Sequence, residues 1–156
     1  MASREEALRR IAAEVGFDLD ADIKVGGNYV PFIVSGDSIH VSGQISRLDA
    51  SVVLEGRAGA GVSLAQAQKA AKVSAIRALA VLLKATRRLE RIKSIPHVTI
   101  FTQCSETFTQ LSEVADGASD ALVAVLGDAG RHTRTSIGVY QLPKNATVEL
   151  ELVATT

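Results

Sequence analysis

The chain has 156 residues, enough for one domain with its own core and too few for two of ordinary size. It is 47% hydrophobic and 22% charged, which excludes a disordered chain. Its 17 basic and 17 acidic residues cancel to zero net charge and aromatics make up only 4%, which argues against nucleic acid, whose binding needs a basic surface or stacking platforms, as a partner.

The elements follow in chain order. Ser3 and Glu6 have the S-x-x-E spacing of a capping box ahead of Ala7, Ile11 and Val15, one apolar stripe. This predicts a short amphipathic helix ending near Gly16, an accessory segment (residues 1–16) before a single domain (17–156). Asn28 to Val34 reads as extended, SGDS at Ser35–Ser38 as a turn, and Ile39–Ser42 as a returning strand. An irregular glycine-rich piece then closes on Ser63, which forms a second capping box with Gln66. The helix it opens carries Leu64, Ala67, Ala71, Ala75, Ala78, Leu79 and Leu82 on one face, and small alanines let a helix sit close to its neighbours. Pro96 is expected to start a strand over His97–Thr102 without entering its interior. A further helix is predicted over Gly117–Leu126, stopped by Gly127. Two strands, Thr133–Leu142 and Thr147–Ala154, joined by a PKNA turn, end the chain.

Helix, ββ, helix, β, helix, ββ predicts an α+β domain with the helices on one face of a mixed sheet. The other face still carries apolar residues, and oligomerisation covers such a face economically. The single cysteine, Cys104, cannot form an internal disulfide. No apolar run has membrane-spanning length and the N-terminus has no apolar signal core, so the expectation is a cytoplasmic protein without membrane association. No Cys/His spacing suggests a metal site.

Several stretches resemble one family. YVPFIVSGDSIHVSGQI (from Tyr29) is similar to the first hairpin of the RidA/YjgF reactive-intermediate deaminases, with its Tyr, Gly-containing turn and SGQ tripeptide. RTSIGVYQLPKNATVELELVA (from Arg134) resembles their closing block, and DGASDALVAVLGDAGRHTR their linking helix in a longer branch. The resemblance implies a chorismate-mutase-like, trimeric fold with clefts between subunits and no cofactor. Carried over by position, it implies that Arg134 grips a substrate carboxylate and Glu149 positions water. Tyr29, Ser42 and Gly43 would line the cleft, and Asp116 matches a family asparagine loosely. Ser136 stands where the best-known branch has a cysteine, and Gly138 where it has a glutamate.

The implied chemistry is simple. An imine of an α-amino acid has an electrophilic carbon, so a site need only hold the carboxylate and present water. A guanidinium meets a carboxylate bidentately, and a carboxylate side chain can hydrogen-bond the water. The readings are therefore hydrolytic deamination of imine or enamine intermediates, non-catalytic binding of a small carboxylated metabolite, or, less favoured, ribonuclease activity.

Register supplies a geometric expectation. Pairing through SGDS sets Val34 opposite Ile39 and, without a bulge, Tyr29 opposite Gln44, on whose face Ser42 also lies. Pairing through PKNA sets Leu142 opposite Thr147 and Glu149 opposite Tyr140. Arg134 would then lie roughly 20 Å along the strand at about 3.3 Å per residue. One small ligand could use both residues only if they come from different subunits.

Overall fold

Ser3 accepts a hydrogen bond from the Glu6 backbone while the Glu6 side chain accepts from Ser3, so helix α1 (Arg4–Val15) starts on a complete capping box. It ends at Gly16, in the left-handed region with φ 73°. Its buried stripe is Ala7, Leu8, Ile11 and Ala12. All 156 residues are described by the structure, a computed structural model.

The main sheet contains β1 (Phe32–Ser35), β2 (Ser38–Ile45), β7 (Ser94–Gln103), β8 (Thr133–Val139) and β9 (Val148–Thr155), ordered β1-β2-β9-β7-β8. All neighbours are antiparallel except β7 and β8, which are parallel. Between β2 and helix α2 (Leu64–Thr86), the glycine-rich segment makes only the two-residue pairs β3 (Arg47–Leu48) with β4 (Ser51–Val52) and β5 (Arg57–Ala58) with β6 (Gly61–Val62). Ser63 and Gln66 form the second capping box at the start of α2. Helix α3 (Leu111–Leu126) joins β7 to β8.

Helix α2 packs against α3 on one side and against β9 and β2 on the other. It is therefore buried almost all round from Val73 to Leu82, rather than along one stripe. Gly117 lies in the middle of α3, where a Cβ would overlap the carbonyl oxygen of Gln68 in α2. Its absent side chain sets the distance between the two helices. No helix is long and apolar enough to cross a membrane.

Four sequence expectations change. β1 begins at Phe32 rather than Asn28: the Ser42 amide still donates to Pro31 O in the β1–β2 register, but Pro31 has no N–H to return the bond. Helix α3 begins six residues before Gly117; that glycine marks close packing, not a helix start. Pro96 lies inside β7, tolerated because the β7–β9 register breaks between Ser94 and His97. Most consequentially, β8 and β9 do not form a hairpin. The PKNA segment is a short 3-10 turn with Lys144 and Asn145 at positive φ, and β9 passes to the centre of the sheet, between β2 and β7. Leu142 is held instead by Gln103, whose Oε1 accepts from its amide and whose Nε2 donates to Gly56 O and Asn145 Oδ1. This wholly buried glutamine fixes the crossing.

Candidate functional site

On the β2 side, Val34 pairs with Ile39 as the register predicts, and the β1 pairing ends at Phe32–Val41. Beyond that point the outer edge of β2 has no strand partner. A bulge at Ser42–Gly43 shifts the register against β9, from Val41–Leu152 to Gln44–Leu150. Tyr29 is therefore not paired with Gln44; it lies in the irregular segment that crosses this open edge. Ser42 pins that segment: its Oγ donates to Val30 O at 2.6 Å and its amide to Pro31 O at 2.9 Å.

The open edge frames a pocket of about 190 Å³ whose lining includes Tyr29, Gly43, Gln44, Arg47, Arg77 and Glu149. Glu149, opposite Ile45 on one side and Phe101 on the other, lays its carboxylate directly over Gly43. A Cβ there would overlap Oε1, so the SGQ glycine is required by the acid that sits on it. Burial, and then the charge of Glu151, push the Glu149 carboxyl above the usual carboxylate range. No cation forms an ion pair with it. A partly desolvated carboxylate facing a pocket can take a proton from water and return it.

Arg134 lies elsewhere. It pairs with Val98 of β7, three positions from Phe101, the partner of Glu149. An odd offset puts the two side chains on opposite faces of the sheet. Arg134 points toward α3, where Nη1 donates to Asp116 Oδ1 at 2.8 Å and Ser119 Oγ at 3.0 Å. Its Nη2 donates to Ser112 Oγ at 2.7 Å and Ser112 O at 3.2 Å. The Arg134 side chain is 20% exposed and that of Asp116 57%. Ser136 follows two residues on, opposite Ile100, and shares the face of Arg134.

The candidate residues thus form two groups. Tyr29, Ser42, Gly43 and Glu149 gather at the β2 edge, and Arg134, Asp116 and Ser136 at the β8 edge, the far side of the sheet. The hairpin spacing does not hold; the two groups are apart because Arg134 and Glu149 lie on different strands and opposite faces of the sheet.

Sequence reasoning missed two members of the pocket. Arg77 lies in an alanine-rich helix and is only 5% exposed; Arg47 follows the bulge. Arg77 Nε donates to Gln44 Oε1 at 3.3 Å and Nη1 to Arg47 O at 3.4 Å. The one available signal was an arginine amid a buried run, which requires a partner or a ligand. No group of three or more His, Cys, Asp or Glu side chains is placed to hold a metal.

Residues 8–155 match the sequence profile of a family described as "YjgF/chorismate mutase-like, putative endoribonuclease". Protein TCP17 of Trypanosoma cruzi is 36% identical over 146 residues, covering 91% of each chain. Among solved structures, Atu1372 of Agrobacterium tumefaciens, a protein of unknown function, superposes with a TM-score of 0.87 at 33% identity, covering 97% of this chain and 94% of its own. A protein of Shewanella oneidensis MR-1 carrying the same endoribonuclease description gives a TM-score of 0.89 at 26% identity, over 99% of this chain and 100% of its own.

Proposed function

The chain belongs to the RidA/YjgF family, described as YjgF/chorismate mutase-like, and on that premise we propose that it hydrolyses imine or enamine intermediates of amino acids to keto acids and ammonia. The observation that carries this reading is Glu149: a partly buried carboxylate of raised pKa, without a paired cation, over Gly43 in the pocket of Tyr29. With the imine bound in its protonated, iminium form, Glu149 removes a proton from water as the water oxygen bonds to the iminium carbon and the C=N π pair passes to nitrogen. Glu149 then returns that proton to the carbinolamine nitrogen; the C–N bond breaks as the hydroxyl closes to the carbonyl, ammonia leaves, and the hydroxyl proton passes to solvent. Tyr29 and the Gly43 backbone line the wall, and Ser42 positions the Tyr29 segment.

The site is shared between copies. One contributes the Glu149 group and its neighbour the Arg134, Asp116 and Ser136 group, in a homotrimer. Arg134 grips the substrate carboxylate, which takes the place of Asp116 on Nη1; the exposure of Asp116 lets it turn out into solvent.

Release of ammonia from enzymatically generated 2-iminobutyrate tests the reading. Arg134→Ala is expected to lower kcat/KM by on the order of 2–4 kcal/mol of transition-state stabilisation, the range for a charge-assisted pair. Arg134→Lys should restore only part, since ammonium keeps the charge without the fork. Unchanged deamination in both variants refutes the clamp. Keto-acid binding with no turnover in the wild type selects the sensor reading of the same pocket.

A further inference from the structure

The Glu149 pocket contains more positive charge than the reaction above uses. Lys24, Arg47, Arg77 and Lys144 line it, against the single carboxylate of Glu149. Arg77 is the most unusual of these. Its side chain rises from α2, is 95% removed from solvent and has no acidic partner, only a glutamine and a carbonyl at the long end of hydrogen bonding. Its Nη2 has no partner within the chain. Arg47 stands beside it, with its Nε buried and unsatisfied. None of the molecule's ion pairs involves either arginine. Burial, then the charge of Arg47, lower the Arg77 pKa to about 10, partly offset by the Tyr29 phenol, so the group stays cationic at neutral pH. Asp22 and Asp49 line only the adjoining outer groove, and neither is within ion-pair distance of the two arginines.

Two neighbouring guanidiniums, Arg77 buried and Arg47 with its Nε buried, neither ion-paired, repel each other and have lost hydration. An oxyanion between them relieves both costs, and the planar forks fit its oxygens. The unpaired forks also point to the ligand's charge. A monoanion whose carboxylate is held at Arg134 would bring nothing to Arg77 and Arg47. We infer that Arg77 and Arg47 form a second anion seat at the floor of the Glu149 pocket, so that the substrate is the imine of a dicarboxylic amino acid. This rests on the metabolite-cleft reading above. One carboxylate meets Arg134 of the neighbouring copy, the distal carboxylate meets Arg77 and Arg47, and the imine carbon lies between them at Glu149.

Calorimetry on the full chain, with 2-oxoglutarate and 2-oxobutyrate as probes, tests this. The wild type should bind the dicarboxylate at least tenfold more tightly. Arg77→Gln should remove that preference, lowering 2-oxoglutarate affinity at least tenfold more than 2-oxobutyrate affinity, and Arg47→Gln should weaken it. Because Arg77 is unpaired, the ligand-free Arg77→Gln protein should melt at or above the wild-type temperature. 2-Oxoglutarate should raise the Tm of the wild type but not of the variant. If Arg77→Gln misfolds, Arg47→Gln alone must still reduce the preference. A wild type that deaminates 2-iminobutyrate yet shows no dicarboxylate preference, or an Arg77→Gln protein that keeps one, overturns the seat and leaves the hydrolytic reading intact. Dicarboxylate binding that depends on Arg77, with no deamination of any imine, supports the seat and removes the hydrolytic reading. Inorganic phosphate binding more tightly than 2-oxoglutarate, and lost in Arg77→Gln, overturns the dicarboxylate assignment in favour of a phosphorylated ligand.

Discussion

Glu149 and Arg134 are both charged side chains on strands, but their surroundings set them apart. Arg134 is surrounded by oxygen atoms from α3, so its charge is matched within the chain. Glu149 has lost water without gaining a cation, and its pKa rises through burial and Glu151. The stability consequence follows from the sign of that shift. The folded state binds the Glu149 proton more readily than the unfolded chain does. The contribution is fully present below the unfolded carboxylate pKa and is lost as pH rises through the higher folded value. Glu149→Gln should therefore flatten the fall in Tm as pH rises above the ordinary carboxylate range and leave a protein at least as stable as wild type at neutral pH, with ammonia release lost. A wild-type Tm flat across that range, or a clearly destabilised variant at neutral pH, contradicts the assigned environment. Comparing melting curves of the two proteins at several pH values provides the measurement.

Among the elements, the contact of α2 with α3 holds the Arg134 group in register with the core. Gly117 makes this contact possible, since any Cβ meets the Gln68 backbone, which cannot rotate aside. Gly117→Ala should cost about 1–3 kcal/mol, the overpacking range, read as a lower urea midpoint. A variant within about 0.5 kcal/mol of wild type, the level of a neutral surface change, would mean that the helices separate freely. The N-terminal helix acts differently. It docks through Ala7, Leu8, Ile11 and Ala12, and Arg4 Nη1 caps the carbonyls of Leu89 and Ile92 at 2.9 and 2.8 Å. Deleting residues 1–16 should lower stability and largely spare ligand affinity, because α1 contributes nothing to the Glu149 pocket. Loss of binding with assembly unchanged would make α1 part of the cleft.

The whole molecule presents a sheet with helices on one face and a mixed surface on the other. That second face carries Ile33 and Ile137, 55% and 41% exposed, beside the half-buried Phe101 and Val153. Such a face is costly to leave in water, and the candidate residues fall into two groups on opposite faces of the sheet. Both features underlie the proposed homotrimer. Sedimentation at micromolar concentration should give a trimer, and Ile137→Asp should shift it toward monomer with loss of deamination. A stable wild-type monomer would remove the shared cleft.

The sequence by itself determined what depends on neighbours along the chain. Both capping boxes, the Gly16 stop, the SGDS turn with its Val34–Ile39 register, and the family blocks around Tyr29 and Arg134 were legible because each is a matter of a few residues. Spacing along the chain also indicated that Arg134 and Glu149 could not meet within one copy, although through a hairpin that does not form. Tertiary structure decided the rest. Whether β9 pairs with β8 or passes between β2 and β7 depends on the burial of Gln103 and on how the helices cover the sheet, which no local pattern encodes. Gly117 read as a helix start because the Gln68 backbone that requires it lies 49 residues away. Arg77 and Arg47 came together as candidates only because β1 pairing ends at Phe32 and leaves the β2 edge open beside them, since an unpaired buried charge is a property of the packed interior and not of the chain.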